Sequence, residues 1–202
     1  MIQIKMIPAK AEIAELAPFS GLGLQQIVLV KDEKQAALAV EELMKAAIVG
    51  FDTESKPTFS KGEISTGPHV LQFSTTEKAF IFQSHVNKSH STIVDLLKSN
   101  ELTKIGFGLS GDLQQISNRF DIRPGAIVDL DRSFRQLGYR NAVGAKSAVA
   151  MLFNRKLAKS KSVTISNWSA KELSERQLIY AANDAYAAIM VYHALRDSGK
   201  NG

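Results

Sequence analysis

Asp52 and Glu54 stand two residues apart, directly after the apolar run Ala47-Ile-Val-Gly-Phe51. On a strand, residues i and i+2 point to the same face, so the two carboxylates lie side by side. Adjacent anions repel, and each costs free energy to desolvate. A bridging hard cation offsets that cost, and Mg²⁺ and Mn²⁺ prefer such oxygen ligands. A strand that simply ends in a polar turn is the plainer reading of the same pattern. Asp112 closes the stretch Gly106-Phe-Gly-Leu-Ser-Gly-Asp112, whose glycines let the backbone approach a neighbour closely. Taken alone, an Asp at a helix start is a cap or a partner for the helix dipole. The third segment is Tyr180-Ala-Ala-Asn-Asp184. Residues i and i+4 share a helical face, so this hydroxyl and carboxylate project together. Their neighbours Ala181, Ala182, Ala185, Ala187 and Ala188 are small enough for close packing against another element.

The elements that must position these groups follow from periodicity. Short β-branched runs predict strands at 26–30 and 47–51, the latter ending in Asp52-Thr53-Glu54. Runs at 69–74 and 78–83 around Thr75-Thr76-Glu77 predict a β-hairpin. A further strand is expected at 104–107, and Val128 ends a last short one. Helical spacing predicts helices at 33–46, capped by Asp32, and at 92–99, 111–119, 131–137, 145–153 and 175–195. Residues 55–68 and the basic segment 154–169 read as loops, and the leader holds a short helical pattern at 11–16. The order is that of an α/β domain with a mixed sheet, because one hairpin interrupts the crossovers. Neither a Gly-rich turn after the first strand nor a Walker-type phosphate loop is present.

Composition narrows the function classes. The 202 residues include no cysteine, which excludes disulfides, thiolate metal sites and a cysteine nucleophile. No apolar run approaches the ~20 residues of a membrane span, and a soluble cytoplasmic protein is expected. Lys and Arg number 25 against 20 Asp and Glu, a formal +5. The excess lies in the C-terminal half, and from Arg132 to Lys171 there are nine basic residues and no acidic one. Such a one-signed stretch reads as a footprint for a polyanion such as nucleic acid, or as a solvated basic face.

The combination and order of the three motifs resemble the DEDD 3′→5′ exonucleases, of ribonuclease H-like fold. One branch of that family carries a His five residues before the last Asp, where this chain has Ile179. The other carries a Tyr four residues before it, which Tyr180 matches, so the chain resembles the DEDDy branch and its ribonuclease D and Werner-type groups. The supporting stretches are Val49-Gly-Phe-Asp-Thr-Glu54, His69-Val-Leu-Gln-Phe73, Lys104-Ile-Gly-Phe-Gly108 with Asp112, Lys161-Ser162, Ser166-Asn-Trp-Ser169 and Leu173-Ser-Glu-Arg-Gln177. The resemblance implies an α/β, ribonuclease H-like mixed five-stranded sheet flanked by helices. It covers residues 25–197 as an exonuclease domain; Pro8, Pro18, Gly21 and Gly23 around a short helical pattern make 1–24 a leader expected to pack on that domain, and 198–202 is a tail. The resemblance implies metal-dependent release of nucleoside 5′-monophosphates from DNA or RNA 3′ ends, with two divalent ions, Mg²⁺ or Mn²⁺, as cofactors. Neither an organic cofactor nor a membrane is implied. By resemblance Asp52 bridges both ions, Glu54 and Asp184 complete the site of the first, Asp112 holds the second largely through water, and Tyr180 orients the attacking water. Ser55 stands where many relatives carry Trp, and no helicase or RNA-binding domain follows, so targeting is expected from this domain or a partner.

Substrate contacts are expected from Lys161 and Arg155 on phosphates, from Leu71 if its strand face is the exposed one, and from Trp168 by stacking. Core packing of Trp168 against the last helix is the competing expectation. The scattered histidines His69, His85, His90 and His193 lack metal spacing. The alternative function is a nucleic-acid-binding module of the same fold without catalysis. Retention of all four carboxylates and Tyr180 speaks against it.

Overall fold

The computed structural model describes residues 6–58, 62 and 65–200. In chain order the elements are α1 (Lys10–Glu15), β1 (Ile27–Val30), α2 (Glu33–Ala46), β2 (Ile48–Glu54), β3 (Val70–Ser74), β4 (Ala79–Gln83), α3 (His90–Lys98), β5 (Thr103–Gly106), α4 (Ser110–Phe120), β6 (Ile127–Asp129), α5 (Leu130–Gln136), α6 (Ala145–Phe153), α7 (Lys161–Thr164) and α8 (Glu175–Lys200). Asp32 caps α2 as expected, accepting the Gln35 N–H at 2.8 Å. The basic segment is not wholly loop, since it contains α7. Helix α8 runs on to Lys200, through the start of the expected tail.

The strands form one sheet in the order β1-β4-β3-β2-β5-β6. Strand β3 is antiparallel to both neighbours and the other pairings are parallel, so the sheet is mixed. It has six strands, not five: the three residues Ile127–Asp129 pair fully with β5 and extend the sheet by one edge. The expected loop 55–68 falls partly outside the described residues. Among the described residues no helix is long and apolar enough to cross a membrane.

Alternation assigns the two faces of the sheet. Phe51, Leu71, Phe73, Phe80 and Phe82 pack with Leu43 of α2, Ile93 and Leu97 of α3 and Ile116 of α4. Val70 and Ile81 on the opposite face pack under Trp168, Tyr180, Ala181 and Ala182. Helix α8 lies across that face and meets β1 through β5. It comes closest over Gly50, where an added Cβ would lie 1.8 Å from the Ala185 carbonyl oxygen. This backbone-to-backbone approach needs Gly on the strand and small residues on the helix. It also fixes the site, because Gly50 is two residues from Asp52 and Ala185 adjoins Asp184.

Lys104 on β5 is wholly buried, and its ammonium donates to the carbonyls of Leu96, Leu97 and Ser99 at 3.1, 3.2 and 2.7 Å. It satisfies the orphan carbonyls at the end of α3 and faces the negative end of that helix. Burial pushes its pKa down to about 8. Lys104→Met strips two buried carbonyls and one partly buried carbonyl of their donor, and it is expected to destabilise the fold by about 3 kcal/mol. Urea unfolding measures that loss; a change below about 1 kcal/mol would contradict the capping role.

Candidate active site

Strand β2 delivers Asp52 and Glu54 to the face covered by α8, as the i, i+2 spacing requires. From above, α8 supplies Tyr180 and Asp184, one helical turn apart and both buried. Asp112 arrives from the first turn of α4. The turn before it is held by Asp129, whose carboxylate accepts the N–H groups of Gly108 and Leu109 at 2.9 and 3.0 Å. Gly108 sits at φ +62°, a conformation that favours glycine. Three segments far apart in sequence thus gather all five expected residues.

Their electrostatics show how crowded the cluster is. Burial, then the charge of Asp184, pushes Asp52 up to about 8, against the pull of Lys159 and the Thr53 N–H. Burial, then Asp52 and Asp184, pushes Glu54 up to about 9. Burial likewise raises Asp184, opposed by Lys159. Burial raises Asp112 as well, while the Thr53 hydroxyl, donating at 2.5 Å, favours its charged form. Tyr180 is pushed up to about 12 by burial and by Asp184, and its hydroxyl lies 2.9 Å from that of Thr164.

Raised carboxylates fix the sign of a pH effect. Without metal the folded protein binds more protons than the unfolded chain, from ordinary carboxylate values of about 4 up to about 8 for Asp52 and about 9 for Glu54. Stability in EDTA therefore falls as pH rises through that interval. A divalent cation is expected to restore it most at the alkaline end. Thermal melts at about pH 5.5 and about pH 8.5, with and without Mn²⁺, check this; a flat profile in EDTA contradicts it.

The donor set suits a hard divalent ion: four carboxylates, two of them strongly crowded, and no sulfur. Gln72 pairs in register with Asp52 and so faces the same side. Its amide is wholly buried with neither polar atom hydrogen-bonded among the described residues, a further sign of unmet polar demand. In this conformation no three of the described acidic and histidine side chains converge tightly enough to wrap an ion. Asp184 is ion-paired with Lys159 at 2.7 Å, and Asp112 is engaged by Thr53.

The expected substrate contacts fare differently. Leu71 is wholly buried in the core with Phe51 and Phe73, so it presents no surface to a base. Trp168 is also wholly buried; its indole N–H donates to the Thr164 carbonyl and its ring packs 5.9 Å from that of Tyr180. It shapes the tyrosine's seat and does not stack on a nucleotide. Lys161 and Arg155 are exposed, and neither bonds to the four carboxylates in the described structure. Ser55 donates its hydroxyl to the Gln115 side-chain oxygen at 2.6 Å. A cavity of about 430 Å³ adjoins Tyr180, walled by Leu22, Leu157, Val163, Arg176 and Ile179. Sequence reasoning missed Lys159, Thr53 and Asp129; only Asp129 carried a signal, as an Asp preceding a helix.

The sequence model of the 3′-5′ exonuclease domain matches residues 27–200. The chain belongs to the 3′-5′ exonuclease family. This exonuclease domain is 32% identical over 155 residues to the mouse bifunctional 3′-5′ exonuclease/ATP-dependent helicase WRN, covering 75% of this chain and 11% of that protein. It is 28% identical over 177 residues to an Arabidopsis thaliana 3′-5′ exonuclease, covering 85% of this chain and 58% of that one. The chain thus spans just over half of one curated relative and about a tenth of the other. Among solved structures, the Aedes aegypti Nibbler EXO domain superposes with a TM-score of 0.75 at 20% identity, over 91% of this chain and 94% of that one, a likeness of fold. The exonuclease family is in general dependent on divalent metal.

Proposed function

We propose that this chain is a metal-dependent exonuclease of the DEDDy branch that shortens DNA or RNA from the 3′ end and releases nucleoside 5′-monophosphates. The observation that carries the reading is the meeting of Asp52, Glu54, Asp112, Asp184 and Tyr180 between the end of β2, the start of α4 and the face of α8. A binding module that had lost catalysis would have no reason to keep four carboxylates crowded at such electrostatic cost. Two divalent ions, Mg²⁺ or Mn²⁺, when bound, supply an activated water and neutralise charge on the phosphate and the leaving oxygen.

The protein's own residues do the rest. Asp52, central in the cluster, would contact both ions; Glu54 and Asp184 would hold the first, and Asp112 the second. Tyr180 keeps its proton at neutral pH, with its pKa pushed up to about 12. Its role is to position the attacking water by hydrogen bonding. Water adds to the phosphorus and gives up a proton to solvent, the bond to the 3′ oxygen of the preceding nucleotide breaks, and that oxygen takes up a proton from solvent to become the new 3′-hydroxyl. The basic segment 132–171, with Lys161 and Arg155, supplies charge for the substrate backbone.

Linear and circular strands of one sequence, DNA and RNA, test the reading. Linear strands should shorten stepwise to 5′-monophosphates with Mg²⁺ or Mn²⁺ and remain intact in EDTA. Circles and 3′-blocked strands should resist. Cleavage of a circle would overturn the exonuclease assignment.

A further inference from the structure

Lys159 places an ammonium where the proposed mechanism needs a metal ion. Its Nζ lies 2.7 Å from Asp184 Oδ2, with the Asp184 side chain 3% exposed and that of Lys159 24%. The same Nζ sits 5.8 Å from the centre of the Tyr180 ring and acts on Asp52 and Glu54 as well. An ammonium bonded to Asp184 and a divalent ion on the same carboxylate repel each other in a poorly hydrated site.

The loop that carries Lys159 is fastened from the side. Between the end of α6 and the start of α7, the Lys156 carbonyl accepts the Phe19 N–H and the Lys156 N–H donates to Ala17, both at 2.9 Å. The Lys156 ammonium reaches the Ala14 carbonyl at 2.8 Å. The leader is in turn tied to α8: Leu22 donates its N–H to the Asn183 side chain at 2.7 Å and accepts from it at 3.1 Å. One N-terminal segment therefore holds both the loop bearing Lys159 and the helix bearing Asp184.

We infer that Lys159 is an internal counter-ion that occupies Asp184 in the metal-free protein and must release it when a divalent ion binds. It offsets one negative charge of the cluster in the absence of metal and competes with the ion for Asp184, so it weakens the metal affinity. The inference rests on the metal-dependent reading above.

The test titrates Mn²⁺ into the full chain without nucleic acid and follows free Mn²⁺ by electron paramagnetic resonance. Lys159→Met is expected to tighten binding roughly fivefold, because the competing partly buried ion pair is gone. Lys159→Arg, which keeps the charge, should bind nearly as the parent does. In EDTA, Lys159→Met should melt lower than the parent, and the gap should close in saturating Mn²⁺. If Lys159→Met is poorly folded by circular dichroism, Lys159→Gln takes its place. Unchanged or weaker Mn²⁺ binding by a folded variant overturns the counter-ion role and leaves the metal site intact. A parent chain whose Mn²⁺ binding is absent, or indifferent to Asp52→Asn, overturns the metal-dependent reading itself.

Discussion

Asp52→Asn is expected to lower exonuclease turnover by about 10³-fold or more while raising the melting temperature of the metal-free protein. The loss follows because the residue at the centre of the cluster would no longer offer a charged bridge between two ions; several kcal/mol of transition-state stabilisation disappear, at tenfold per ~1.4 kcal/mol. The gain follows from the same geometry. Asp52 is pushed up to about 8 by burial and by Asp184, so its charge is a burden on the folded state when no cation is present. Asn has the same shape, and its side-chain oxygen can still accept the Thr53 N–H that Asp52 accepts at 2.9 Å. Single-turnover digestion of a 5′-labelled strand and thermal melting in EDTA read the two effects separately. An active Asp52→Asn, or an inactive one that also melts lower, contradicts this account of the residue.

The second large effect is expected at a residue without any chemistry. Gly50→Val places a branched side chain where an added Cβ would already lie 1.8 Å from the Ala185 carbonyl oxygen and 2.7 Å from its carbonyl carbon. Backbone cannot rotate aside as a side chain can, so α8 must lift from β2 or the fold must fail. The cost is about 3 kcal/mol or more, equivalent to a fall of roughly 10 °C in melting temperature for a chain of this size. Lifting α8 also separates Asp184 and Tyr180 from Asp52 and Glu54, so activity is lost with no carboxylate altered. Gly111→Ala is the control, because no atom lies within 4 Å of an added Cβ there. In the first turn of α4 that change should be neutral or slightly stabilising. A Gly50→Val protein that melts like the parent would contradict the close approach as the feature that sets the site.

The side-by-side pairs were legible in the sequence because their spacings are local rules, whereas their roles, and Asp112, came only with the family resemblance. An i, i+2 pair on a strand and an i, i+4 pair on a helix share a face in any fold, and Asp52, Glu54, Tyr180 and Asp184 obey both. The family resemblance implies five strands, whereas the apolar runs themselves mark a sixth, the short one at Val128 that is β6. Leu71 was ambiguous because β3 is buried throughout, and a strand covered on both faces shows no polar side. Lys159 was out of reach for another reason. It is one of several lysines in a basic loop, and nothing in the local sequence marks which ammonium folds inward to Asp184. Lys104 has the same lesson in the core, where its role depends on helix carbonyls from another segment.

The most direct test of the central claim is a crystal structure with Mn²⁺ and a bound 3′-terminal nucleotide, read by anomalous scattering. Two manganese peaks roughly 3.5–4 Å apart are predicted, bridged by Asp52, one contacting Glu54 and Asp184 and the other on the Asp112 side. Asp184 should then have let go of Lys159. Manganese bound elsewhere, or a nucleotide seated with no peak at Asp52, would contradict the assignment of this cluster as the catalytic centre.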